Sequence, residues 1–146
     1  MKKIFVLLSL FVTIIANAAT PPAVNQRVLK AFKQNFRSAT DVTWHTYTDY
    51  YQASFKLDDI QVRAQYSEKG ELVKTFRYYG EAHLLPNIVS RIQKKYAGKE
   101  IFGVTEMSTS DEVKLEIIVR DDTHFYVVQS DVYGNLDQQQ KLTRAD

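Results

Sequence analysis

The apolar residues of this chain repeat with a helical period in two stretches that lie far apart. In residues 21–36, PPAVNQRVLKAFKQNF, they fall three or four positions apart, after two prolines suited to a first helical turn. Residues 84–99, LLPNIVSRIQKKYAGK, show the same spacing, with Pro86 at the start and Gly98 as a C-terminal cap. The sequence therefore predicts two amphipathic helices.

After each helix the apolar period changes to two. Alternation of apolar and polar residues runs through residues 42–64 in the first part and 113–128 in the second. Turn-forming residues interrupt it at Thr48-Asp49, at two Asp-Asp pairs, and in the segments EKGE and YGN. Short alternating runs between such turns are typical of antiparallel hairpins. The sequence therefore predicts four strands after each helix.

The two helix-and-strand stretches match each other at a nearly constant spacing. Val28, for example, corresponds to Ile92, which lies 64 positions later. We therefore predict an α+β fold formed by tandem duplication of an α-β4 unit, about 20–80 and 83–142, within a single domain at 19–146. In this arrangement each helix covers one face of its own four strands, so an antiparallel sheet has both helices on one face.

The chain begins with the features of an export signal, MKKIFVLLSLFVTIIANAAT. Two lysines precede an apolar run at residues 4–15, and a small-residue cleavage motif, Ala16-Asn17-Ala18, follows it. The apolar run is shorter than the roughly 20 residues that span a membrane, and no later segment is apolar enough to do so. We therefore predict a signal peptide at residues 1–18, cleavage between Ala18 and Ala19, and a periplasmic or secreted protein without a membrane span.

Removing the leader changes the charge balance. The whole chain is formally +2, and Lys2 and Lys3 are the only charges before Ala19, so the mature chain carries 17 basic and 17 acidic residues. This balance gives no electrostatic case for nucleic acid, which favours a basic surface. The absence of cysteine excludes thiol catalysis, disulfides and Cys-type zinc sites. A hydrophobic content of 45% is typical of a folded domain.

Several segments of the mature chain carry a resemblance to a known family. They are the helix from Pro22 to Phe36 and the segments ATDVTW, YQASF, AQYSEKGEL and LLPNIVSRIQKKYAGKEI. The chain resembles the PepSY-like, β-lactamase-inhibitor-protein-like (BLIP-like) periplasmic family over nearly its whole mature length. The resemblance implies a tandem α-β4 domain with a broad curved sheet, and it suggests inhibition of a hydrolase or protease. Glu106 departs from the pattern, because it falls where the first unit has Trp44.

The sequence contains no catalytic or metal-binding motif. Nucleophile-elbow, phosphate-loop and dinucleotide-binding motifs are absent. His45, His83 and His124 lie far apart and lack the spacing of zinc ligands. The Asp58-Asp59 and Asp121-Asp122 pairs are explained by turn formation more simply than by calcium binding. We therefore predict no catalytic residue, no metal and no cofactor.

The segment TWHTYTDYYQASF, residues 43–55, concentrates aromatic residues around one turn. By alternation, Trp44, Tyr51 and Phe55 point inward and form core beneath the first helix. Glu106 also takes an inward position, and we expect it to pair with an Arg or Lys at the rim of the sheet, because an unpaired buried carboxylate is costly.

The opposite face of the sheet has no predicted helix and carries the candidate binding residues. They are His45, Tyr47, Arg63, Ile118, Phe125 and Val127, accompanied by Gln52, Ser54 and Gln65. Tyr, Arg and Phe are enriched at protein interfaces, and three outward apolar residues on adjacent strands form a patch.

Two hypotheses of function follow from this face. The first is a non-catalytic binding or inhibitor protein with a protein partner, and a homodimer that covers the same face is the alternative to a foreign partner. The second is a small-ligand carrier, a sensor domain or an enzyme with its site in the concavity of the sheet. The second hypothesis requires a deep pocket with convergent polar groups.

Overall fold

The computed structural model describes residues 23–145. The predicted signal peptide and its cleavage site lie outside the described residues, so both stay predictions. A helix followed by four strands occurs twice along the chain. The elements are α1 (Gln26–Asn35), β1 (Thr40–Thr46), β2 (Tyr51–Leu57), β3 (Ile60–Tyr66), β4 (Leu72–Tyr79), a short 3-10 helix (Glu81–His83), α2 (Pro86–Lys95), β5 (Glu100–Ser108), β6 (Val113–Arg120), β7 (His124–Ser130) and β8 (Leu136–Thr143).

The eight strands form one antiparallel sheet in sequence order, β1 to β8. Residues directly opposite each other on paired strands point to the same face of the sheet. A row of such partners across the sheet therefore shows whether the two halves place their cores on the same face. Val62 is paired with Arg77, Arg77 with Glu106, and Glu106 with Leu115. Val62 belongs to the core under α1 and Leu115 to the core under α2. Both helices therefore lie on one face, and the predicted α+β fold is confirmed.

The core consists of two clusters, one beneath each helix. In the first, Val28 and Phe32 of α1 pack on inward residues of β2 and β3. In the second, Ile88 and Ile92 of α2 pack on inward residues of β5, β6 and β7. Tyr79 at the end of β4 contacts both clusters. Each helix therefore covers mainly its own four strands, and the two helices leave the middle of the sheet between them.

The predicted core aromatics of the first unit are confirmed. Phe55 is fully buried, and Tyr51 packs at the margin of the same cluster. Trp44 is half-buried because β1 is an edge strand, and its ring lies 5.2 Å from that of Phe32 in an edge-to-face arrangement.

The last hairpin of each unit docks on the helix of that unit through a glycine with positive φ. Gly70 has φ +86° and Gly134 has φ +82°, a conformation that glycine adopts at little cost. A Cβ on Gly70 would lie 3.1 Å from the carbonyl oxygen of Arg27, and one on Gly134 would lie 2.8 Å from Cδ of Arg91. Asn25, the N-cap of α1, also donates to the carbonyl of Glu68 and so ties the helix to the first of these turns.

Candidate functional site

The face of the sheet opposite the helices, here called the open face, carries the residues that alternate with the core. His45 lies opposite Gln52, and Arg63 lies opposite Ser54. Ile118 lies opposite Val127, and Phe125 opposite Arg120. Tyr47 follows β1 in the turn to β2, where its ring stacks on Tyr50 at 4.4 Å. The five candidates on strands therefore share the open face. Tyr47, two residues after His45, points to the same face at the β1 edge of the sheet.

The structure separates these candidates into two groups. Ile118, Phe125 and Val127 are neighbours on β6 and β7, whereas His45 and Tyr47 lie at the β1 edge. Neighbouring strands are about 4.8 Å apart, so β1 and β7 are separated by about 25–30 Å. Arg63 on β3 lies between the two groups. One compact site cannot contain all six residues.

The group on β6 and β7 is the centre of a larger apolar patch. Phe102 lies in a bulge of β5, is 53% exposed, and has its ring 5.8 Å from that of Phe125. Leu142 of β8 lies opposite Phe125 and is 49% exposed. We call this surface the C-terminal patch. It comprises Phe102, Ile118, Phe125, Val127 and Leu142.

Two arginines hold positive charge against the aromatic rings of the C-terminal patch. The guanidinium of Arg120 lies 4.3 Å from the ring centroid of Phe102 and donates two hydrogen bonds, of 2.9 and 3.2 Å, to Glu100. The guanidinium of Arg144 lies 5.6 Å from the centroid of Phe125. These contacts restrain the rings and arginines that surround the apolar centre of the patch.

A shallow recess of about 260 Å³ adjoins the patch at the centre of the open face. Cross-strand partners Phe76 and Met107 form its apolar wall. Arg63 lies opposite Phe76, and its guanidinium is 5.3 Å from the ring of Tyr78. The central recess is lined by Phe76, Thr105, Met107, Lys114, Leu115, Glu116 and Gln129.

Phe76, Tyr78 and Met107 are absent from the sequence-based candidates. β4 carries Thr75 and Arg77 inward and Phe76 and Tyr78 outward, and β5 carries Glu106 inward beside outward Met107, so the alternation gives no clear core face here. A signal was nevertheless present. Arg63 is predicted to point outward. If the strands on either side of the EKGE turn pair as an antiparallel hairpin, Phe76 lies opposite Arg63 and therefore also points outward.

Glu106 faces the helix side and forms a polar cluster between the two helices, here called the seam. Its Oε1 accepts from Arg77 Nη1 at 3.1 Å, and its Oε2 accepts from the Tyr79 hydroxyl at 2.7 Å. The expected pairing with a basic residue is confirmed, although the partner lies in mid-sheet rather than at the rim. The residue of the second unit that corresponds to Trp44 is Val104 rather than Glu106. Val104 packs in the core opposite Ile117, just as Trp44 packs opposite Ala53. Burial, followed by the bond to Glu106, raises the pKa of Tyr79.

The histidines and the paired aspartates make structural contacts. His83 lies 3.2 Å from Asp59, and His124 lies 2.8 Å from the hydroxyl of Thr123. Asp58 has φ +55°, which fits its predicted role in a turn. Within residues 23–145, no group of three or more His, Asp and Glu side chains is arranged to hold a metal ion.

Asp121 stabilises the β6–β7 turn. Its carboxylate accepts from Lys99 Nζ at 2.6 Å, from the Tyr126 hydroxyl, and from the backbone N–H groups of Thr123 and His124. The Lys99 ammonium, and after it the Thr123 N–H, hold the pKa of Asp121 well below its usual range. These partners account for the carboxylate without a catalytic role.

Comparison with known proteins identifies relatives in structure but none in sequence. No protein-family model and no curated protein matches the chain. A BLIP-like protein from Bacteroides fragilis superposes with a TM-score of 0.68 at 16% identity, covering 89% of this chain and 92% of that one. A DUF2874 family protein from Bacteroides ovatus has a TM-score of 0.64 at 21% identity, covering 85% and 88%.

A third solved structure, from Bacteroides eggerthii and named as a candidate periplasmic protein, has a TM-score of 0.65 at 14% identity and covers 83% of this chain and 89% of its own. These likenesses show that the chain has a BLIP-like fold. The PepSY-like part of the resemblance is not confirmed by these structures. Among residues 23–145, no helix is long and apolar enough to cross a membrane.

Proposed function

We propose that this chain with a BLIP-like fold is an exported, non-catalytic protein that binds a protein partner on its open face. The observation that carries the proposal is the C-terminal patch, which exposes Phe102 and Leu142 on the sheet face opposite α1 and α2. Exposed apolar patches framed by polar residues are typical of protein interaction sites. The central recess beside the patch offers a place for one side chain of the partner.

The dimensions of the cavities favour a protein partner over a small ligand. The central recess, at about 260 Å³, is smaller than the roughly 300–1,000 Å³ of most ligand pockets. A larger groove of about 560 Å³ lies on the helix side, beside Arg91, Lys94 and Lys95, and it contains no acid–base pair. The second hypothesis, a carrier, sensor or enzyme, therefore has less support.

Inhibition of a hydrolase or protease is the mode of binding that the fold favours. The support is the BLIP-like description of the Bacteroides fragilis structure and the C-terminal patch with the guanidinium groups of Arg120 and Arg144 against its rings. The likeness covers nearly the whole chain, although the identity of 16% leaves the partner unspecified. With the predicted signal peptide, the two proteins would meet in the periplasm or outside the cell.

The test compares truncations of two aromatic residues of the open face, the half-buried Phe125 and the exposed Tyr47. Tagged residues 19–146 are used to capture partners from the envelope fraction of the source organism. Phe125→Ala should weaken capture of a specific protein by at least about 30-fold, the equivalent of about 2 kcal/mol for an interface anchor. Tyr47→Ala is the matched control, because Tyr47 is 46% exposed but lies about 25–30 Å from Phe125.

Both variants should unfold within about 0.5 kcal/mol of the parent, since neither residue belongs to the core. Equal capture by the parent and Phe125→Ala would show that the patch is not the binding surface. Loss of capture by Tyr47→Ala alone would move the site to the β1 edge. Sedimentation of the purified parent distinguishes a homodimer, which should revert to a monomer in Phe125→Ala.

A further variant tests the open face by adding a side chain that obstructs it instead of truncating one. Gly103 lies opposite Ile118, and a Cβ at Gly103 would meet no atom within 4 Å. Gly103→Leu should therefore preserve the fold and obstruct docking beside Ile118. Full capture by a folded Gly103→Leu protein would exclude this part of the open face from the interface.

A further inference from the structure

The helix side of the molecule carries a concentration of positive charge that the net charge of the mature chain conceals. The two helices and Arg37, which lies two residues after α1, contain four lysines and three arginines, and neither helix contains an acidic residue. All seven basic side chains are exposed. They are Arg27, Lys30, Lys33 and Arg37 at α1, and Arg91, Lys94 and Lys95 at α2. We call this surface the cationic helix face.

Among residues 23–145, none of these seven side chains forms a salt bridge, whereas five of the ten other lysines and arginines do. Among residues 23–145, the salt bridges of lysine and arginine involve Lys56, Arg77, Lys99, Lys114 and Arg120. None of those five belongs to the cationic helix face. Many of the acidic residues lie instead in hairpin turns, where they bind lysine or backbone N–H groups, as Asp121 does. The balanced total charge therefore hides a concentration of basic residues at the two helices.

The basic residues form two parallel stripes rather than one track. Arg27 and Lys30 are three residues apart on α1, and on α2 Arg91 lies three residues before Lys94 and four before Lys95. Both helices lie on one side of the sheet, and each covers its own half. With about 4.8 Å between strands, the stripes are separated by roughly 20 Å. A groove of about 560 Å³ beside Arg91, Lys94 and Lys95 is wide enough for a phosphate group.

We infer that the cationic helix face binds the surface of a lipid bilayer that contains anionic lipid. A broad anionic plane meets both stripes at once, whereas a single linear polyanion would follow one continuous track. Leu85, which directly precedes α2, is 49% exposed and adds an apolar side chain to the layer formed by the two helices. The predicted export brings the chain to a membrane, although the inference does not depend on the function of the open face.

The experiment measures sedimentation of residues 19–146 with vesicles of phosphatidylcholine alone or of phosphatidylcholine and phosphatidylglycerol in equal parts. Binding should require phosphatidylglycerol and weaken as salt is added, because surface charges are screened within about 10 Å at 0.1 M salt. Each basic residue near an anionic membrane contributes about fivefold to binding, the equivalent of about 1 kcal/mol. The double variant Lys30→Glu/Lys94→Glu should therefore bind at least about 25-fold more weakly.

The matched control reverses two lysines on the open face, Lys56→Glu/Lys74→Glu, and has the same net charge. It should retain most of the binding, and circular dichroism should show that both double variants are folded. Absence of parent binding to the mixed vesicles, or equal loss in both double variants, would overturn the inference. Tighter binding of the parent to duplex DNA than to the mixed vesicles would also overturn it, and would identify a nucleic-acid surface instead.

Discussion

Trp44 shows how an edge-strand residue contributes to the core. Its ring packs on Phe32 at 5.2 Å and lies 6.4 Å from Tyr66, while one side stays open to solvent. Truncation of a buried aromatic residue typically costs about 3–5 kcal/mol, so Trp44→Ala should cost about 3 kcal/mol. Thermal unfolding followed by circular dichroism measures this loss, with Tyr47→Ala as the exposed control. A variant as stable as the parent would place Trp44 outside the core.

Asp121 makes the stability of the protein depend on pH. Because its folded pKa is depressed, its contribution is present above the ordinary carboxyl pKa of about 3.9 and is lost as the pH falls towards the folded pKa. Asp121→Asn should therefore be less stable than the parent by a constant amount from pH 7 to about pH 5, and the difference should shrink below that. Urea unfolding followed by Trp44 fluorescence gives the two curves. A difference that persists unchanged at pH 3 would show that the charge of Asp121 is not responsible.

At the scale of the elements, the contact between Gly70 and α1 fixes the last hairpin of the first unit. Gly70→Ala should cost about 2–3 kcal/mol, because a left-handed conformation costs a non-glycine residue about 1–2 kcal/mol and the new Cβ would lie 3.1 Å from a backbone oxygen. Gly98→Ala isolates the conformational part, since Gly98 has φ +75° and a Cβ there would meet nothing within 4 Å. Chemical denaturation should rank Gly70→Ala as clearly less stable than Gly98→Ala. Equal losses would mean that α1 yields to the extra methyl group.

Strand parity could be predicted from the sequence wherever a helix covers the strand. Ala53, Phe55, Ile117 and Val119 are inward and fully buried, as alternation predicts, because α1 and α2 require an apolar surface beneath them. The patch residue Phe102 could not be placed, since a bulge shifts the register and alternation carries no sign of it.

Alternation also fails on β4. Thr75 and Arg77 point inward and Phe76 and Tyr78 outward, because the middle of the sheet lies between the helices and needs no apolar cover. The candidate site was therefore only half recovered from the sequence. Its outer residues on β6 and β7 were identified, and its central residues on β4 were not.

On the scale of the whole molecule, two helix-covered cores are joined by a continuous sheet and by very few side chains. The two core clusters have separate members, and Tyr79 packs against both of them. The seam adds a hydrogen bond of 2.7 Å from the Tyr79 hydroxyl to Glu106, which also pairs with Arg77. Beyond the five cross-strand pairs of β4 and β5, these contacts and the 3.2 Å contact of His83 with Asp59 couple the halves. We therefore expect that the cooperative unfolding of the two halves in one transition depends on Tyr79.

Tyr79→Ala should divide the unfolding of the protein into two steps. The change removes the ring shared by both cores and leaves Glu106 with one partner, so it should cost about 3 kcal/mol or more and weaken the coupling of the halves. Trp44, the single tryptophan, reports on the first half, and amide exchange of β6 and β7 reports on the second. In the parent the two probes should give the same unfolding midpoint in urea, and in Tyr79→Ala they should differ. Tyr78→Ala is the matched control, because it removes the neighbouring tyrosine from the open face and should leave the probes coincident. Coincident transitions in Tyr79→Ala would show that the β4–β5 backbone pairing alone unites the two halves.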